Sequence, residues 1–495
     1  MQQSGVWQQS GVWQRAIHGF GPFLLLGLML LWPALLNQRP FYMPDSASYV
    51  RGGETGIGIG LSILQEQWAA LTSPPAAELA SSAGEAAPGA SGAISAAVGE
   101  AGGIRSVTYS LVAWLLHGPG ITLFWLVLAQ AACTAFVIRV AQRSFADPST
   151  AQQVAIASFI GLLTTTGWYV SFAMPDIFAG IAVLAALPLT LCPERLGLPT
   201  KIALVLLLAF AFTAHASLVA VVAAAVLAGF AARVALVSRR RAASVAGWAA
   251  APLVLGFGAV MAISLVSFGE PSVVPKRYPF MLARSVVDGP GRWYLEEHCA
   301  TRRFAVCELF PEEIPQDLNV FLWDLSDRAT PEQMERIRAE EMTIIQEAAS
   351  EYPLFQFRRA AENFAAQTVR IGLSDLVFGR ALEPDENGRL ALGDSASDRP
   401  ALKGVFEGLS FATFFGCLVW LLVVRRRLRP EELAALLVIV VALLANAAVC
   451  GILSAVADRY QGRVAWVLPV FASAVWLRLR AASLEAGDTR AVPGV

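Results

Sequence analysis

The chain has 495 residues and a formal net charge of −1 at pH 7, and its composition is 56% hydrophobic but only 15% charged. Its mean hydropathy is +0.56, and a typical soluble domain carries about 25% charged residues. These values exclude a soluble enzyme, a coiled coil and a disordered scaffold, and they predict an all-α polytopic membrane protein.

Long, nearly uncharged apolar runs recur along the chain, and about 20 helical residues cross a hydrocarbon core about 30 Å thick. The run at 201–237 is too long for one span and short for two. We therefore divide it at His215 into two helices, one of which can be a partial or tilted span. We predict about ten transmembrane helices, near residues 18–37, 120–140, 152–171, 177–193, 201–214, 216–237, 246–267, 405–424, 432–453 and 464–480.

The positive charges predict the orientation of these spans. If the N-terminus is cytoplasmic, every second connection is cytoplasmic and rich in Arg and Lys. The basic residues of those connections are Arg139 and Arg143, Arg195 and Lys201, the arginines at 239–241, those at 425–429, and Arg478 and Arg480. Both termini are therefore predicted in the cytoplasm. A single span at 201–237 would invert the predicted orientation of every span that follows it.

Three regions are predicted along the chain. Residues 1–267 form an N-terminal membrane module, residues 268–400 an acidic extracytoplasmic domain between spans 7 and 8, and residues 401–495 a C-terminal membrane module. Within the first region, residues 72–103 are rich in Ala, Gly, Ser and Pro and predict a mobile loop. The segment after that loop predicts an amphipathic helix at the membrane interface, with Arg105 and Tyr109 on one face.

The acidic region holds 23 acidic and 15 basic residues, a formal net charge of −8, which argues against a nucleic-acid partner. Thr330-Pro331-Glu332-Gln333 predicts a capping box and a helix running to about Ser350. Tyr352-Pro353 ends that helix, and 354–371 predicts another, so the domain is mainly α. In an outer compartment Cys299 and Cys307 can form a disulfide; two independent thiols are the alternative.

Two Met-Pro-Asp tripeptides stand at predicted outer membrane edges, and they contain Asp45 and Asp176. A carboxylate at a membrane boundary loses hydration, so it is expected to pair or to take part in chemistry. The alternative is that each Asp caps a helix, Asp45 a short helix from Ser46 and Asp176 the start of the fourth span.

Other polar residues are predicted on the same outer face. His215 lies in an apolar stretch, where it is either a packing residue or, with Asp45 and Asp176, part of a set that binds a divalent cation such as Mg²⁺ or Mn²⁺ or positions a phosphate. The turn at 458–463 contributes Arg459 and Arg463, which suit a phosphate; the alternative is an interface anchor in which Asp458 neutralises Arg459.

These residues resemble the GT-C superfamily of integral-membrane glycosyltransferases, which use polyprenyl-phosphate sugars. In that superfamily an Asp in the first outer loop, often in an Asp-x-x-x-Tyr setting, is the catalytic base, and Asp45 with Tyr49 matches it. An interfacial helix with Arg-x-x-x-Tyr follows in many bacterial members, as with Arg105 and Tyr109. Ser110 stands where proline is common in such helices.

The resemblance extends in motif order to a second acidic residue, Asp176, and to an Arg-Tyr pair before a late span, Arg459 and Tyr460. The acidic region at 268–400 has no counterpart that we can assign. The resemblance implies an enzyme of the bacterial cytoplasmic membrane whose active site faces the exterior. Its donor is a polyprenyl-phosphate-linked sugar, and its acceptor is a lipid, a glycan or a protein.

The resemblance also implies roles for individual residues. Asp45 is the general base that takes the acceptor proton. Asp176 and Tyr49 are expected at the acceptor or second-acid site. The residues expected to bind the donor phosphate are Arg105, Tyr109, Arg459, Tyr460 and Arg463.

Three other functions remain open from the sequence. In a ligase that moves a whole glycan from polyprenyl diphosphate, the principal functional residues would be outer arginines and a histidine such as His298. A lipid or solute transporter would use the outer charges at an entry site, although we find no repeat between the halves. A noncatalytic assembly partner would be built around the acidic domain.

Overall fold

The computed structural model describes residues 25–72, 106–118, 122–239, 242–268, 271–273, 278–395 and 397–488. The described helices before residue 269 are α1 (Trp32–Leu36), α2 (Pro44–Thr72), α3 (Val107–Leu115), α4 (Phe124–Phe145), α5 (Thr150–Leu163), α6 (Thr166–Val170), α7 (Phe178–Leu191), α8 (Leu198–Ala214), α9 (Ala216–Ala232) and α10 (Ala242–Phe268). Residues 25–30 are also helical. Short 3₁₀ turns at Pro175–Ile177 and Pro193–Arg195 and a π-helical turn at Arg233–Val237 complete this part.

The helices of the second half are α11 (Phe280–Asp288), α12 (Pro290–Arg302), α13 (Ala305–Leu309), α14 (Leu318–Arg328), α15 (Pro331–Glu351), α16 (Pro353–Val369), α17 (Pro400–Val423), α18 (Pro430–Leu453), α19 (Asp458–Ala465) and α20 (Val467–Asp488). Arg425–Arg427 forms a 3₁₀ turn. The strands β1 (Leu382–Pro384) and β2 (Leu390–Leu392) pair as an antiparallel hairpin, the only sheet in the described ranges.

Six helices of the described residues are long and apolar enough to cross a membrane: Phe124–Phe145, Ala216–Val237, Ala242–Val266, Pro400–Val423, Pro430–Leu453 and Asp458–Leu484. Thr150–Leu163, Pro175–Leu191 and Leu198–Ala214 are shorter apolar helices. The chain is therefore an all-α, multi-pass membrane protein.

The predicted span at 152–171 is wrong as one continuous helix. Helix α5 ends at Leu163, the backbone of the next residue, Thr164, is extended, and α6 begins at Thr166. The Thr164 hydroxyl donates to the Ile160 carbonyl at 2.5 Å and lies 2.7 Å from the Thr166 hydroxyl. Threonine hydroxyls compete in this way with the backbone hydrogen bonds of a helix, and an apolar run does not reveal it.

The predicted division at His215 is confirmed. The backbone of His215 is extended, at φ −158° and ψ 139°, and this residue ends α8 and caps the N-terminus of α9. The two helices pack against each other as a hairpin.

The basic connections meet one another at one face of the molecule. Arg195 donates to the carbonyl of Ser144. Arg478 donates to the Arg427 carbonyl at 3.0 Å and to Glu432 Oε2 at 2.7 Å. These contacts join four of the five Arg- and Lys-rich connections, in two pairs.

Helix α2 is longer than the short helix expected after Ser46, since it runs from Pro44 to Thr72. Its first turns pack against α3. A Cβ on Gly53 would collide with the Ser110 carbonyl and with Trp114, so this glycine allows the close approach of the two helices. The predicted mobile loop lies, beyond Thr72, outside the described residues.

Two hydrophobic cores organise the described residues. The larger contains the membrane helices together with Ile371, Leu373, Leu376 and Phe378. The smaller lies between Leu282 and Ala348 and belongs to α11–α15. Part of the predicted extracytoplasmic domain thus packs with the membrane helices.

The local predictions within the acidic region fit the structure. Thr330 and Gln333 form the predicted capping box of α15, and α16 follows it at Pro353. A disulfide joins Cys299 and Cys307, whose Cα atoms are 5.7 Å apart. It links α12 to α13 beside the smaller core.

Candidate functional site

The two Met-Pro-Asp tripeptides lie side by side. Phe41 and Phe172 form a parallel bridge, in which the Phe41 N–H donates to the Ser171 carbonyl and the Ala173 N–H donates to the Phe41 carbonyl, both at 2.9 Å. Each phenylalanine opens the same pattern, Phe-x-Met-Pro-Asp. Asp45 and Asp176 are therefore equivalent positions of two paired segments.

The hydroxyl of Ser46 caps the start of the first of these segments. Its hydroxyl accepts from the Met43 N–H at 3.1 Å and donates to the Ala173 carbonyl at 3.0 Å, which also ties the two segments together. Asp45 is half-buried in the first turn of α2. A carboxylate there interacts favourably with the helix dipole.

Asp176 is buried in an ion pair with Arg463. Its Oδ1 lies 3.3 Å from Arg463 Nη1, and the two side chains are 3% and 0% exposed. Arg463 Nη2 also donates to Asn446 Oδ1 at 2.9 Å and to Ser217 Oγ at 2.8 Å. The guanidinium of Arg463 is therefore satisfied by protein groups, which gives it a structural role beside its predicted role in phosphate binding.

His215 joins this network through Ser217. Its Nδ1 accepts from the Ser217 N–H at 3.2 Å and lies 2.9 Å from Ser217 Oγ, the oxygen that accepts from Arg463. His215 is half-buried. His215 therefore caps a helix and holds Ser217, whose hydroxyl binds Arg463. These contacts fit the interpretation of His215 as a packing residue.

Arg459 brings the last predicted turn to the first segment. Its Nη1 lies 2.7 Å from the sulfur of Met43, and its Nη2 donates to the Tyr460 hydroxyl at 3.1 Å. The guanidinium carbons of Arg459 and Arg463 stand 4.9 and 5.1 Å from the centre of the Tyr460 ring. Tyr460 thus stabilises both cations through its ring. Unlike Arg463, Arg459 is half-buried rather than fully enclosed.

Tyr49 and Tyr109 pack behind the paired segments. Their rings are 4.8 Å apart, and both residues are buried. The Tyr109 hydroxyl donates to Gln130 Oε1 at 2.8 Å, and Gln130 Nε2 donates to the Phe172 carbonyl at 2.9 Å. Burial, with the neighbouring Tyr49 and Asp176, raises the pKa of Tyr109 well above its usual value. Arg105, its predicted partner, lies outside the described residues.

The C-terminal end of α16 and the segment that follows it also reach the site, which sequence reasoning missed. Gln367 donates to the Ala457 carbonyl and accepts from the Ala457 N–H, both at 2.9 Å. The Ser374 hydroxyl donates to Asp458 Oδ2 at 2.8 Å. The adjacent Asp375 has a buried carboxylate oxygen, Oδ2, with no hydrogen-bond partner among the described residues.

Burial raises the pKa of Asp375, and the carboxylates of Asp176 and Asp458 act in the same direction, against the charges of Arg459 and Lys403. Asp375 therefore shares the electrostatic environment of the predicted site. Its only sequence signal is a carboxylate between apolar residues in an acidic region, and many acidic residues there stand in comparable settings.

We expect Asp375→Asn to raise the thermal stability of the protein by a few degrees at pH 7. A carboxyl whose pKa is raised by folding opposes folding when it is ionised, and this cost disappears as pH falls through its folded pKa. The gap between variant and wild type should therefore close towards pH 4. Thermal unfolding in detergent measures this difference in stability. A difference that widens on acidification would contradict the expected direction of the pH dependence.

The predicted cation ligands do not form a cluster in the described part of the chain. There, the set of His, Cys, Asp and Glu whose ligand atoms all lie within 4.8 Å is Glu297, His298 and Glu351. Asp176 binds Arg463 and His215 binds Ser217 instead. The divalent cation stays a prediction.

His298, the histidine of the ligase alternative, is engaged within the acidic region. Its Nδ1 is 3.1 Å from the Tyr294 carbonyl, its Nε2 is 3.5 Å from Glu351, and its ring stacks on Tyr294. These contacts connect α12 to the end of α15.

Comparison with known proteins identifies no family, so the class of the protein is argued from the fold and the site. No protein-family model matches the chain, and neither a curated protein nor a solved structure matches it. The fold defines an all-α multi-pass membrane protein, in which five segments far apart in sequence meet around Asp176 and Arg459.

Proposed function

We propose that this protein is a glycosyltransferase of the GT-C type, which moves a sugar from a polyprenyl-phosphate donor to an acceptor hydroxyl at the outer face of a bacterial cytoplasmic membrane. The observation that carries the proposal is the parallel pairing of the two Phe-x-Met-Pro-Asp segments. The pairing puts Asp45 and Asp176 in equivalent positions, with Arg459 against Met43.

The orientation rests on two observations. The Arg- and Lys-rich connections contact one another at one face, and that face is cytoplasmic by the positive-inside rule. The disulfide between Cys299 and Cys307 lies in the acidic region, and disulfides persist in oxidising compartments outside the cytoplasm. Both observations support a site at the outer face.

The two aspartates take different roles. Asp176 is neutralised by Arg463 and positions the second segment. Asp45 is half-buried at the start of α2, and it takes the proton of the acceptor hydroxyl as that oxygen attacks the anomeric carbon. The bond from the anomeric carbon to the phosphate oxygen breaks, the phosphate leaves with the electron pair, and the anomeric configuration inverts.

Arg459 is the cation that the geometry favours for the donor phosphate. A departing phosphate needs positive charge close to its oxygens. Arg463 is enclosed by Asp176, Asn446 and Ser217, whereas Arg459 has a sulfur and a phenol as its hydrogen-bond partners. A Mg²⁺ or Mn²⁺ near Asp45, Asp176 and His215 is not required by these steps.

The test is transfer by the purified protein in liposomes, with a panel of radiolabelled polyprenyl-phosphate monosaccharides and extracted envelope lipids and glycans as acceptors. We expect labelled product together with free polyprenyl phosphate. Turnover of a polyprenyl-diphosphate glycan, with none of the monophosphate sugars, would replace the proposal by the ligase alternative. Turnover of neither donor class would reject it in favour of a noncatalytic function.

A further inference from the structure

An apolar groove of about 710 Å³ lies between three helices that pack against one another, α5, α17 and α20. Helix α17 and the span that contains α20 are long and apolar enough to cross a membrane. Gly416 and Trp476 line the groove and are exposed, so the groove opens at the surface of the bundle, where a multi-pass protein meets lipid. Most of the lining side chains are hydrophobic, among them Ile156, Phe159, Trp420, Ala472 and Leu477.

The groove lies at the end of the bundle that carries the basic connections. Gln152, in the first turn of α5, and Arg480, in the last part of α20, both line it. The Arg427 carbonyl, just beyond α17, accepts from Arg478 of α20 at 3.0 Å. Just beyond the other end of α5, a threonine hydroxyl at position 165 donates to the Gly462 carbonyl of the candidate site at 2.6 Å. The groove and the candidate site are therefore at opposite ends of the bundle.

The length of the groove matches one leaflet of a bilayer. Along α20 its lining runs from Pro469 to Arg480, which at the rise of an α-helix is about 16 Å. Half of a hydrocarbon core of about 30 Å is about 15 Å. An acyl chain of the leaflet that borders the basic face therefore fits along the groove, and Arg480 then stands at the level of the headgroup.

The basic end of the groove suits an anion. The guanidinium carbon of Arg480 is 5.2 Å from the centre of the Trp476 ring, and tryptophan is enriched at the level of the lipid headgroups. A guanidinium can donate two parallel hydrogen bonds to a phosphate. The first turn of α5 contains no acidic residue, so the positive end of its dipole also favours an anion. Ser473, farther along the groove, is satisfied by the Val470 carbonyl at 2.6 Å.

We propose that the groove binds a phospholipid with an anionic headgroup, with one acyl chain between α5, α17 and α20 and the headgroup phosphate on Arg480. A lipid is the occupant because the groove opens between membrane helices and has the length of a leaflet. The headgroup is anionic because the mouth is cationic, and the exposed arginines at 425–427 stand at the same face. The proposal uses only the multi-pass fold, so it stands whether or not sugar transfer is found.

Photocrosslinking of the full-length protein tests the proposal. The protein is reconstituted in phosphatidylcholine nanodiscs that contain a small fraction of a probe lipid with a diazirine on its acyl chain, and the crosslinked peptides are identified by mass spectrometry. The probe is phosphatidylglycerol in one set of nanodiscs and phosphatidylcholine in the other, at the same mole fraction.

Two variants separate the acyl chain from the headgroup. Gly416→Phe fills the groove, because a Cβ at Gly416 meets no atom within 4 Å. Its matched control is Gly408→Phe, on the same helix, with equally free space and outside the lining of the groove. Arg480→Gln removes the cation at the mouth. Its matched control is Arg426→Gln, since Arg426 is exposed at the same face and does not line the groove.

We expect the groove peptides of α17 and α20 to crosslink to the phosphatidylglycerol probe about fivefold more than to the phosphatidylcholine probe, which is the preference that one arginine confers near anionic lipid. Arg480→Gln should remove this preference, and Gly416→Phe should remove the groove crosslinks of both probes. Both controls should behave as the wild type.

Three results would overturn the proposal. Equal crosslinking of the two probes in the wild type would mean that the groove holds bulk lipid without selecting a headgroup. An equal loss of preference in Arg426→Gln and Arg480→Gln would assign the selection to the surface charge of the basic face. An absence of groove crosslinks with either probe would mean that a second copy or another protein covers the groove.

Discussion

Replacing Asp45 with Asn is expected to lower the transfer rate by at least about a hundredfold, because positioned proton transfer contributes about 10²–10⁴ to such reactions. The substitution keeps the size of the side chain and removes the carboxylate that we propose as the base. The Ser46 cap and the Phe41–Phe172 bridge do not involve the carboxylate, so the paired segments are retained. Donor binding should be unchanged, which makes the loss one of kcat.

The measurement is transfer kinetics with a labelled donor, beside equilibrium binding of that donor. Asp147→Asn is the matched control, because Asp147 is exposed and belongs to the connection that contains Arg143, at the basic face. It should leave both kcat and binding at wild-type values. If Asp45→Asn keeps more than a tenth of the wild-type kcat, Asp45 is not the base, and the different roles given to the two equivalent aspartates are wrong.

The sequence predicts the elements of the site better than their contacts. Apolar runs and basic connections predict the helices on each side of His215, and the repeated Met-Pro-Asp draws attention to Asp45 and Asp176. The parallel bridge between Phe41 and Phe172 is a contact across more than 100 residues, and no periodicity within either segment indicates it. Such contacts come from the packing of the whole bundle rather than from local pattern.

Two other features escape sequence reasoning for physical reasons. Helix α2 contains several glycines, which lower helix propensity, and packing on α3 at Gly53 compensates for that loss. Asp375 and Gln367 belong to a region whose net charge suggests a separate solvated domain. Gln367 contacts Ala457 and the neighbouring Ser374 contacts Asp458, because α16 packs on a membrane helix, which composition does not reveal.

Breaking the Asp176–Arg463 pair is expected to give the largest loss of stability in the chain. Removing one partner of a buried ion pair leaves an uncompensated charge and costs about 3–5 kcal/mol. We therefore expect Arg463→Met and Asp176→Asn each to lower the free energy of unfolding by that amount. The double variant should lose less than the sum, because the unpaired charge is then absent. Arg463→Lys should be intermediate, since it keeps the charge and loses the fork that reaches Asn446 and Ser217.

Unfolding in mixed micelles of mild detergent and dodecyl sulfate, followed by tryptophan fluorescence, measures these energies. The matched control is the pair of Arg478 and Glu432 at the basic face, where Arg478 Nη2 donates to Oε2 at 2.7 Å and Glu432 is buried. Arg478→Met should cost stability and leave residual transfer by the folded fraction unchanged, whereas Arg463→Met should impair both. If Arg463→Met keeps wild-type stability and loses only donor affinity, Arg463 binds the phosphate and Arg459 does not act alone. The property that Arg463→Met loses thereby separates a structural role of Arg463 from a role in phosphate binding.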